Sequence, residues 1–438
     1  MEQSADATTS SCPMHGALGY QEALDMYESR CPAFLEHPES ALSRIQAESP
    51  VFWSDASKGW VITRYDDVVG ILRNAAQFSS VGTMTSHVKL SVAAREVLGQ
   101  ERSELRNFLA NLDSPAHDRL RGAISRAFTP KAVAALEPHM VVTARRLAAL
   151  LGTSLAGSSA VDFVTCFAAP YPTDVVGAFI GVPEADRAVV PQWVASWFQL
   201  FRFHLSEAEQ LTCAADVVSY TAYVHELIAH HRDHGPSEAN VIGTLVAAVG
   251  AGELDLTDDE LADLVANLIV GGIHTTSSAL AAVMLRLLST EGAWAELVAK
   301  PELVANAVEE ALRLEGIAIG GARFAREDTV IAGQPIRAGD LVRPLSRSAD
   351  LDGAVFDDPL NYRPDRSNVR RHLVFGNGPH LCVGASLARL ELTVAVRTLV
   401  EEMPGLELSA EHRSEYVPSP THRQLRQLLV TSTQSARS

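Results

Sequence analysis

The chain runs to 438 residues, 47% of them hydrophobic and 20% charged, with a formal net charge of −17. That composition suits a large packed core, and the acidic balance argues against a nucleic-acid partner, whose phosphates need clustered cations. No apolar run reaches the roughly 18 residues that a membrane span requires. Met1 to Ser11 is polar and lacks the charged-then-apolar order of a signal peptide. The five cysteines (Cys12, Cys31, Cys166, Cys213, Cys382) are odd in number and scattered, as free thiols in a reducing compartment are. A cytoplasmic protein with no membrane contact is expected.

Length alone allows about three domains. The motifs below run from His117 to Cys382 and point instead to one domain over residues 18–431, with flexible tails at 1–17 and 432–438. Cys12-Pro13-Met14-His15 carries metal-binding residue types, but the segment around it has the look of a disordered tail. From Tyr20 to about Pro50 the pattern is helical. Pro50-Val51-Phe52-Trp53 and the run from Gly59 to Tyr65 look like the strands of a hairpin. Helices dominate from about 66 to 315, with a polar break at Asp233-His234-Gly235-Pro236-Ser237. Ser114-Pro115 is expected to open one of them as N-cap and first helical residue, which puts His117 and Arg121 on one face at i, i+4. Trp193, Trp197, Phe198, Phe201 and Phe203 crowd one segment of a chain that is only 6% aromatic. A core helix face and a ligand-pocket wall are both open readings of that density. The same holds for Arg202 and His204 among them, as surface groups or as contacts to a polar ligand.

Thr257-Asp258-Asp259-Glu260 is a capping box with acids in the first turn. Apolar residues then continue to about Leu288, enough for about 30 residues and about 45 Å of helix. Its middle reads Gly271-Gly272-Ile273-His274-Thr275-Thr276. Two glycines before two threonines weaken the backbone ladder, because threonine hydroxyls bond back to carbonyls. Glu310 and Arg313 follow on an amphipathic helix at i, i+3; alone, such a pair reads as a solvated contact. Gly316-Ile317-Ala318-Ile319-Gly320-Gly321 is small and apolar. Short strands are expected over about 322–346, an aperiodic meander over 350–374, and strand-like pieces again near 405–431 after a last long helix. No internal repeat or low-complexity segment is present.

The richest stretch is Phe375-Gly376-Asn377-Gly378-Pro379-His380-Leu381-Cys382-Val383-Gly384, with a helical pattern directly after it. Gly376 and Gly378 open backbone angles that a tight bulged turn needs. A helix N-terminus offers free N–H groups and a positive dipole end, so the loop is expected to favour a thiolate at Cys382. Gly384 leaves room for a flat group against the backbone. A structural cysteine in a capping loop is the plainer reading of the loop by itself.

These ten residues resemble the haem-binding loop of the cytochrome P450 family, and the resemblance extends over residues 20–431. It implies a mainly α fold with small β-sheets, crossed by a long central helix, and haem b (iron protoporphyrin IX) with Cys382 as axial ligand to iron. Phe375, Gly376, His380 and Gly384 match the loop's cofactor-facing positions. His117, Arg121 and Arg323 match donors to the haem propionates, a task suited to bidentate arginine. Glu310 and Arg313 match the family's buried Glu-x-x-Arg pair, with Arg366 as third member and Arg363 as runner-up. Gly271, Gly272 and Thr275 match the oxygen-activation motif. There the family usually carries Asp or Glu before the threonine; here it is His274, which either relays protons or faces away into another helix.

The resemblance implies a monooxygenase that inserts one atom of O2 into a small apolar organic substrate by hydroxylation or O-dealkylation. An aromatic or a terpenoid is the expected class. Electrons are expected from a separate ferredoxin and its reductase, since no reductase segment follows the last helix, and Arg366, Arg370, Arg371 and Arg389 are a candidate docking patch or a solvated face. The substrate roof is expected from about 79–110, 160–215 and 314–321, with Trp197, Phe198, Phe201, Gly272, Ile317 and Ile319 as pocket residues. A peroxide-driven peroxygenase on the same fold, a non-enzymatic haem or ligand-binding protein, and a haem-free helical protein are the competing readings.

Overall fold

The computed structural model describes residues 18–83, 90–99, 108–200, 205–234, 240–417 and 422–433. It opens with three helices, α1 (Tyr20–Ser29), α2 (Pro32–Glu36) and α3 (Pro38–Glu48). The helical pattern is cut where Arg30 takes a left-handed φ of 50°. Pro32 and Pro38 each restart it at the first helical position, where a missing N–H is no loss. The expected hairpin follows, β1 (Val51–Ser54) antiparallel to β2 (Gly59–Ile62), and the chain turns into α4 (Tyr65–Arg73).

β3 (Phe78–Ser79) and α5 (Val92–Leu98) lead to α6 (Ala116–Ala127). This helix starts one residue later than its sequence signals indicate. Pro115, not Ser114, is the N-cap, without a side-chain cap. The first turn closes instead through the His117 N–H, which donates to the Asp113 carbonyl at 3.0 Å. Then come α7 (Pro130–Ala134), α8 (Glu137–Ala156), β4 (Val161–Asp162), α9 (Pro170–Ile180), α10 (Val190–Gln199), α11 (Glu207–Asp233) and α12 (Val241–Gly250). A π-helical turn at Val164–Ala168 leads into α9 and has no counterpart in the sequence pattern.

The central helix α13 (Asp258–Ser289) has 32 residues, about 48 Å at the usual rise. Its capping box forms as expected, with the Thr257 hydroxyl accepting from the Glu260 N–H. By length and composition α13 passes for a membrane span, yet 72% of its apolar stretch is buried within the domain. It packs against α9, α10 and α11 on one side and against α15 (Val304–Glu315) and α17 (Ala385–Glu402) on the other, with α14 (Ala293–Ala299) between. Val176, Leu268, Val283, Leu312 and Leu392 share one continuous core. A Cβ on Gly272 would stand 2.7 Å from Val176 Cγ1, so the glycine is what lets α9 close on α13.

Among the described residues, four small sheets flank the helices. β5 (Arg323–Ala325), β6 (Thr329–Ile331), β7 (Gln334–Ile336) and β8 (Leu341–Pro344) precede the one-turn helix α16 (Ser346–Ala349). β9 (Leu406–Leu408), β10 (Tyr416–Val417), β11 (Gln424–Leu425) and β12 (Leu429–Ser432) close the chain. The largest sheet runs β1-β2-β8-β5-β3, and another runs β4-β12-β9. β2 and β8 are parallel, with Val61 opposite Arg343. The aperiodic stretch 350–374 packs beneath α15 as the meander.

Candidate functional site

Cys382 sits at the mouth of α17, whose N-cap is Gly384. The loop is held by a bond from the Cys382 N–H to the Phe375 carbonyl at 2.9 Å. Gly376 and Gly378 have φ of 73° and 71°, and a side chain on Gly378 would collide with the Leu72 carbonyl. Arg73 Nε donates to Asn377 Oδ1 at 2.8 Å and pins the loop to α4. The exposed surface of Cys382 opens into an internal cavity of about 450 Å³. Burial pushes the thiol up, while the Gly384 N–H, Arg121 and Arg389 pull it back. The loop alone therefore does not yield the thiolate its helix position led us to expect; the dipole end is outweighed by lost hydration. A bound cation supplies what is missing, because coordination deprotonates a thiol outright.

Thr275 and Thr276 on α13 line the same cavity as Cys382, with Gly271 and Gly272 beside them. The Thr275 hydroxyl donates to the Gly271 carbonyl, as the motif implied. The remaining wall is mostly apolar: Val176, Phe179, Ile180, Leu268, Ile317 and Ala318. Asn267 and His422 are among its polar members, and burial pushes the His422 imidazole down to about 4, so it is neutral at neutral pH.

At the rim, four basic side chains gather. His380 lines the cavity, and its ring lies 4.3 Å from that of His117. Burial, then Arg323 and His117, push the His380 imidazole down to about 3. His117 is buried; its Nδ1 meets Asp118 at 2.9 Å and its Nε2 has no partner among the described residues. Arg323 is buried and Arg121 partly so, and among the described residues no carboxylate pairs with either. Nearby Asp113 is held by the Ser80 N–H at 2.9 Å and by Arg326. Buried donors left without an acceptor, here His117 Nε2, are costly unless an anion completes them.

Comparison with known proteins settles the kinship. The family model described as Cytochrome P450 matches residues 294–403. The biotin biosynthesis cytochrome P450 of Bacillus subtilis (strain 168) is 32% identical over 401 residues, 91% of this chain and 97% of that protein. The epothilone C/D epoxidase of Sorangium cellulosum is 31% identical over 397 residues, 89% of this chain and 91% of that protein. The structure of cytochrome P450 CREJ in complex with (4-ethylphenyl) dihydrogen phosphate superposes with a TM-score of 0.84 at 27% identity, covering 91% of this chain and 98% of that one. The chain belongs to the cytochrome P450 family. It is an oxidoreductase of the monooxygenase type, and haem b is the cofactor of that family.

The residues present fit haem b. Among the described residues Cys382 is the thiol that lines the cavity, Gly384 presents no side chain to it, and the unpartnered His117 Nε2, with Arg121 and Arg323 free of carboxylate partners among the described residues, suits a pair of propionates. Behind the loop, this P450 carries a charge clamp. Arg313 donates to both oxygens of Glu310 at 2.8 Å, and both side chains are wholly buried. Arg366 Nε reaches the same two oxygens at 3.1 Å each, while Arg363 contributes only its backbone N–H, also at 3.1 Å. Arg313 also donates to the Asp350 and Pro359 carbonyls at 2.7 and 2.8 Å, tying the meander to α15.

Other expected site residues lie elsewhere. The ring of His274 is not in the cavity wall; it stacks on Phe198 of α10, centroids 3.9 Å apart. Phe198 in turn meets His422 edge-on at 5.5 Å, one ring removed from the cavity. Trp197 packs on Phe108. Ile317 and Gly272 line the cavity, but Ile319 is buried among Ala23, Tyr27 and Phe52; the segment bends at Ile317 and is not a regular strand, so the two isoleucines do not share a face. Phe201, with Arg202, Phe203 and His204, lies outside the described residues.

Sequence reasoning missed Glu309, His372 and Glu391. Glu309 accepts from His372 at 2.7 Å and from Arg389 at 2.6 Å, and that guanidinium lies 4.4 Å over the Phe375 ring. Its signal was a second glutamate beside Glu310. Glu391 was legible as an acid within the apolar face Leu387, Ala388, Leu392.

Proposed function

We propose that this P450 inserts one oxygen atom from O2 into a compact apolar molecule, aromatic or terpenoid, by hydroxylation or O-dealkylation. Its electrons come from a separate ferredoxin and ferredoxin reductase, in the cytoplasm. The observation that carries this reading is the placement of Cys382 and Thr275 in one mostly apolar cavity rimmed by Arg323 and His380. When bound, haem supplies the redox chemistry that activates oxygen. Cys382 Sγ binds its iron, and Phe375, Gly376 and Gly384 shape the loop around that sulfur. His117, Arg121, Arg323 and His380 hold the propionates, and Glu310, Arg313 and Arg366 keep the meander in place behind them.

The Thr275 hydroxyl, which lines the cavity from α13, would hold and hand on a proton there. Val176, Phe179, Ile180 and Ile317 exclude water and orient the substrate through apolar contact, which contributes roughly 25 cal/mol per Å² buried. A neutral His422 offers one hydrogen bond to a hydroxyl or carbonyl. Arg370 is exposed and Arg371 lies over the Tyr65 ring, so these two are the core of the ferredoxin face. Arg366 is buried in the clamp and Arg389 is engaged with Glu309, which removes both from the docking patch.

One observation favours a second reading, the peroxygenase. His274 faces away from the cavity, leaving no acid beside Thr275 on α13. The deciding experiment is an absorption spectrum of the purified protein, oxidised and then reduced under carbon monoxide, beside Cys382→Ala. A thiolate-type band lost in the variant is expected; an imidazole-type band in both sinks the assignment. Turnover with ferredoxin, reductase and O2 is expected to exceed turnover with hydrogen peroxide, and the reverse order marks the peroxygenase.

A further inference from the structure

Glu315 is the last residue of α15, and the cavity wall resumes directly after it with Ile317 and Ala318. Its carboxylate is buried and gathers arginines from three places in the fold. Arg286 Nε of α13 donates to Glu315 Oε1 at 2.8 Å, and Arg423 Nη1, from just before β11, donates to Oε2. Arg347 of α16 is the third, near enough for its charge to hold the carboxyl down. Arg423 ties in most elements. Its guanidinium also donates to the Leu35 and Glu36 carbonyls at the end of α2, at 2.7 and 2.8 Å, and to the Tyr416 hydroxyl of β10. None of these side chains lines the cavity.

The backbones of two of the same arginines hold the wall itself. The Arg423 N–H donates to the Ile317 carbonyl at 2.8 Å, and the Arg347 N–H donates to the Ile319 carbonyl at 3.1 Å. Between them Ala318 bridges to His422 in antiparallel fashion. Ile317, Ala318 and His422 all line the cavity. The segment bends at Ile317 and forms no regular strand, so these few bonds set its depth. Taking Glu315, Arg347 and Arg423 out of water is costly, and apolar side chains of similar volume would hold α15 to α2 without that cost. What apolar packing does not supply is a fixed register, the best-attested use of a buried ion pair.

We propose that Arg423 is a specificity-determining positioning residue, which from outside the cavity sets how far Ile317, Ala318 and His422 stand into it. The inference rests on the reading of this cavity as the substrate site. With the wall held in, the space suits a single aromatic ring or a compact alicycle, and a bulky polycycle is turned away by contact with Ile317 and Ala318. Arg423 acts through the wall and touches no substrate. Loosening its bonds to α2 and β10 frees the wall to retreat. A small ligand then loses its contacts, and a large one gains room.

The test uses full-length, haem-loaded wild type, Arg423→Lys and Tyr416→Phe, titrated with imidazole, phenylimidazole and N-tritylimidazole and read by the absorption shift on iron binding. Imidazole reaches little of the wall and is the internal reference. Arg423→Lys keeps a cation beside Glu315 but gives up the forked bonds to α2. Relative to imidazole, its affinity for phenylimidazole is expected to fall about tenfold and that for N-tritylimidazole to rise by a similar factor. Tyr416→Phe removes one hydroxyl and is expected to move both ratios the same way by about threefold. Haem content and the carbon monoxide band are expected to match wild type in both. Ratios unchanged in both variants overturn the proposal. So does an equal change for all three probes, which marks the cluster as structural. If Arg423→Lys fails to fold, the ratios in Tyr416→Phe decide alone. A wild type without thiolate-ligated haem overturns the functional reading instead, and the proposal falls with it.

Discussion

Glu310 and Glu391 are equally buried, yet their surroundings have nothing in common. Glu310 meets Arg313, Arg366 and the Arg363 N–H, so every lone pair that matters is used. Glu391 meets no hydrogen-bond donor among the described residues. Burial therefore does not define what a carboxylate does in this fold. A satisfied one ties the meander to α15; for an unsatisfied one, burial disfavours the charged form.

The largest effect is expected from breaking the satisfied side. Glu310→Ala strands Arg313 and Arg366 as buried cations and is expected to cost about 3–5 kcal/mol. Urea unfolding of the variant, read beside haem retention, measures it. A loss below about 1 kcal/mol would mean that the clamp is not what holds the meander.

Glu315 gives a pH-dependent version of the same lesson. Burial alone would raise its carboxyl, but Arg423, Arg286 and Arg347 outweigh burial and hold it at about 2, against an ordinary 4.5. Because the folded value is the lower one, this group adds stability above about pH 4.5 and loses it as pH falls toward 2. The contribution is on the order of 3 kcal/mol. Asp350 works the other way: burial pushes it up to about 6, so its cost is present above that pH and is relieved on acidification toward 3.8. Glu315→Gln is expected to flatten the acid limb of the stability–pH curve, measured by urea titration at each pH. A wild-type curve without an acid limb between about pH 4.5 and 2 would show that the arginines do not hold Glu315 in this way.

The rim cluster is next in size. His117→Phe fills the space but leaves one propionate oxygen without its donor, a loss of about 1.5–3 kcal/mol for a charged hydrogen bond. Haem transfer to an apo-globin acceptor is expected to be about ten- to a hundredfold faster than from wild type. Unchanged transfer would place the propionates elsewhere.

How far the sequence shows all this depends on whether a residue's partner is near in the chain. The Cys382 loop, the capping box at Thr257 and the Glu310–Arg313 pair are local patterns, and the structure keeps each of them. Arg366 was legible through its place before the loop, although its contact spans 56 positions. Side-chain direction was not legible: Ile317 and Ile319 are two apart and would share a face in a regular strand, but the segment bends and sends one into the cavity and the other into a core. At Cys382 the helix end is a local feature that the sequence shows, whereas the desolvation that opposes it depends on the whole fold.

The smallest expected effect tests His274, the residue at which the sequence departs from its family. Its ring lies nearly parallel to Phe198, with planes 23° apart and centroids 3.9 Å apart. Such a pair contributes about 0.5–1.5 kcal/mol beyond area burial, and here it ties α10 to α13. His274→Ala is expected to lose that amount and to speed ligand entry and exit as α10 loosens. His274→Phe keeps a flat ring in the same place but has no titrating nitrogen, so it is expected to restore both stability and ligand exchange. A proton relay predicts the opposite pattern, because phenylalanine relays no better than alanine and both variants would release peroxide equally. Stopped-flow ligand binding and the product-to-peroxide ratio, read on the two variants together, separate the roles. Rescue by phenylalanine assigns His274 to packing between α10 and α13; no rescue, with peroxide released equally by both variants, returns His274 to the proton path.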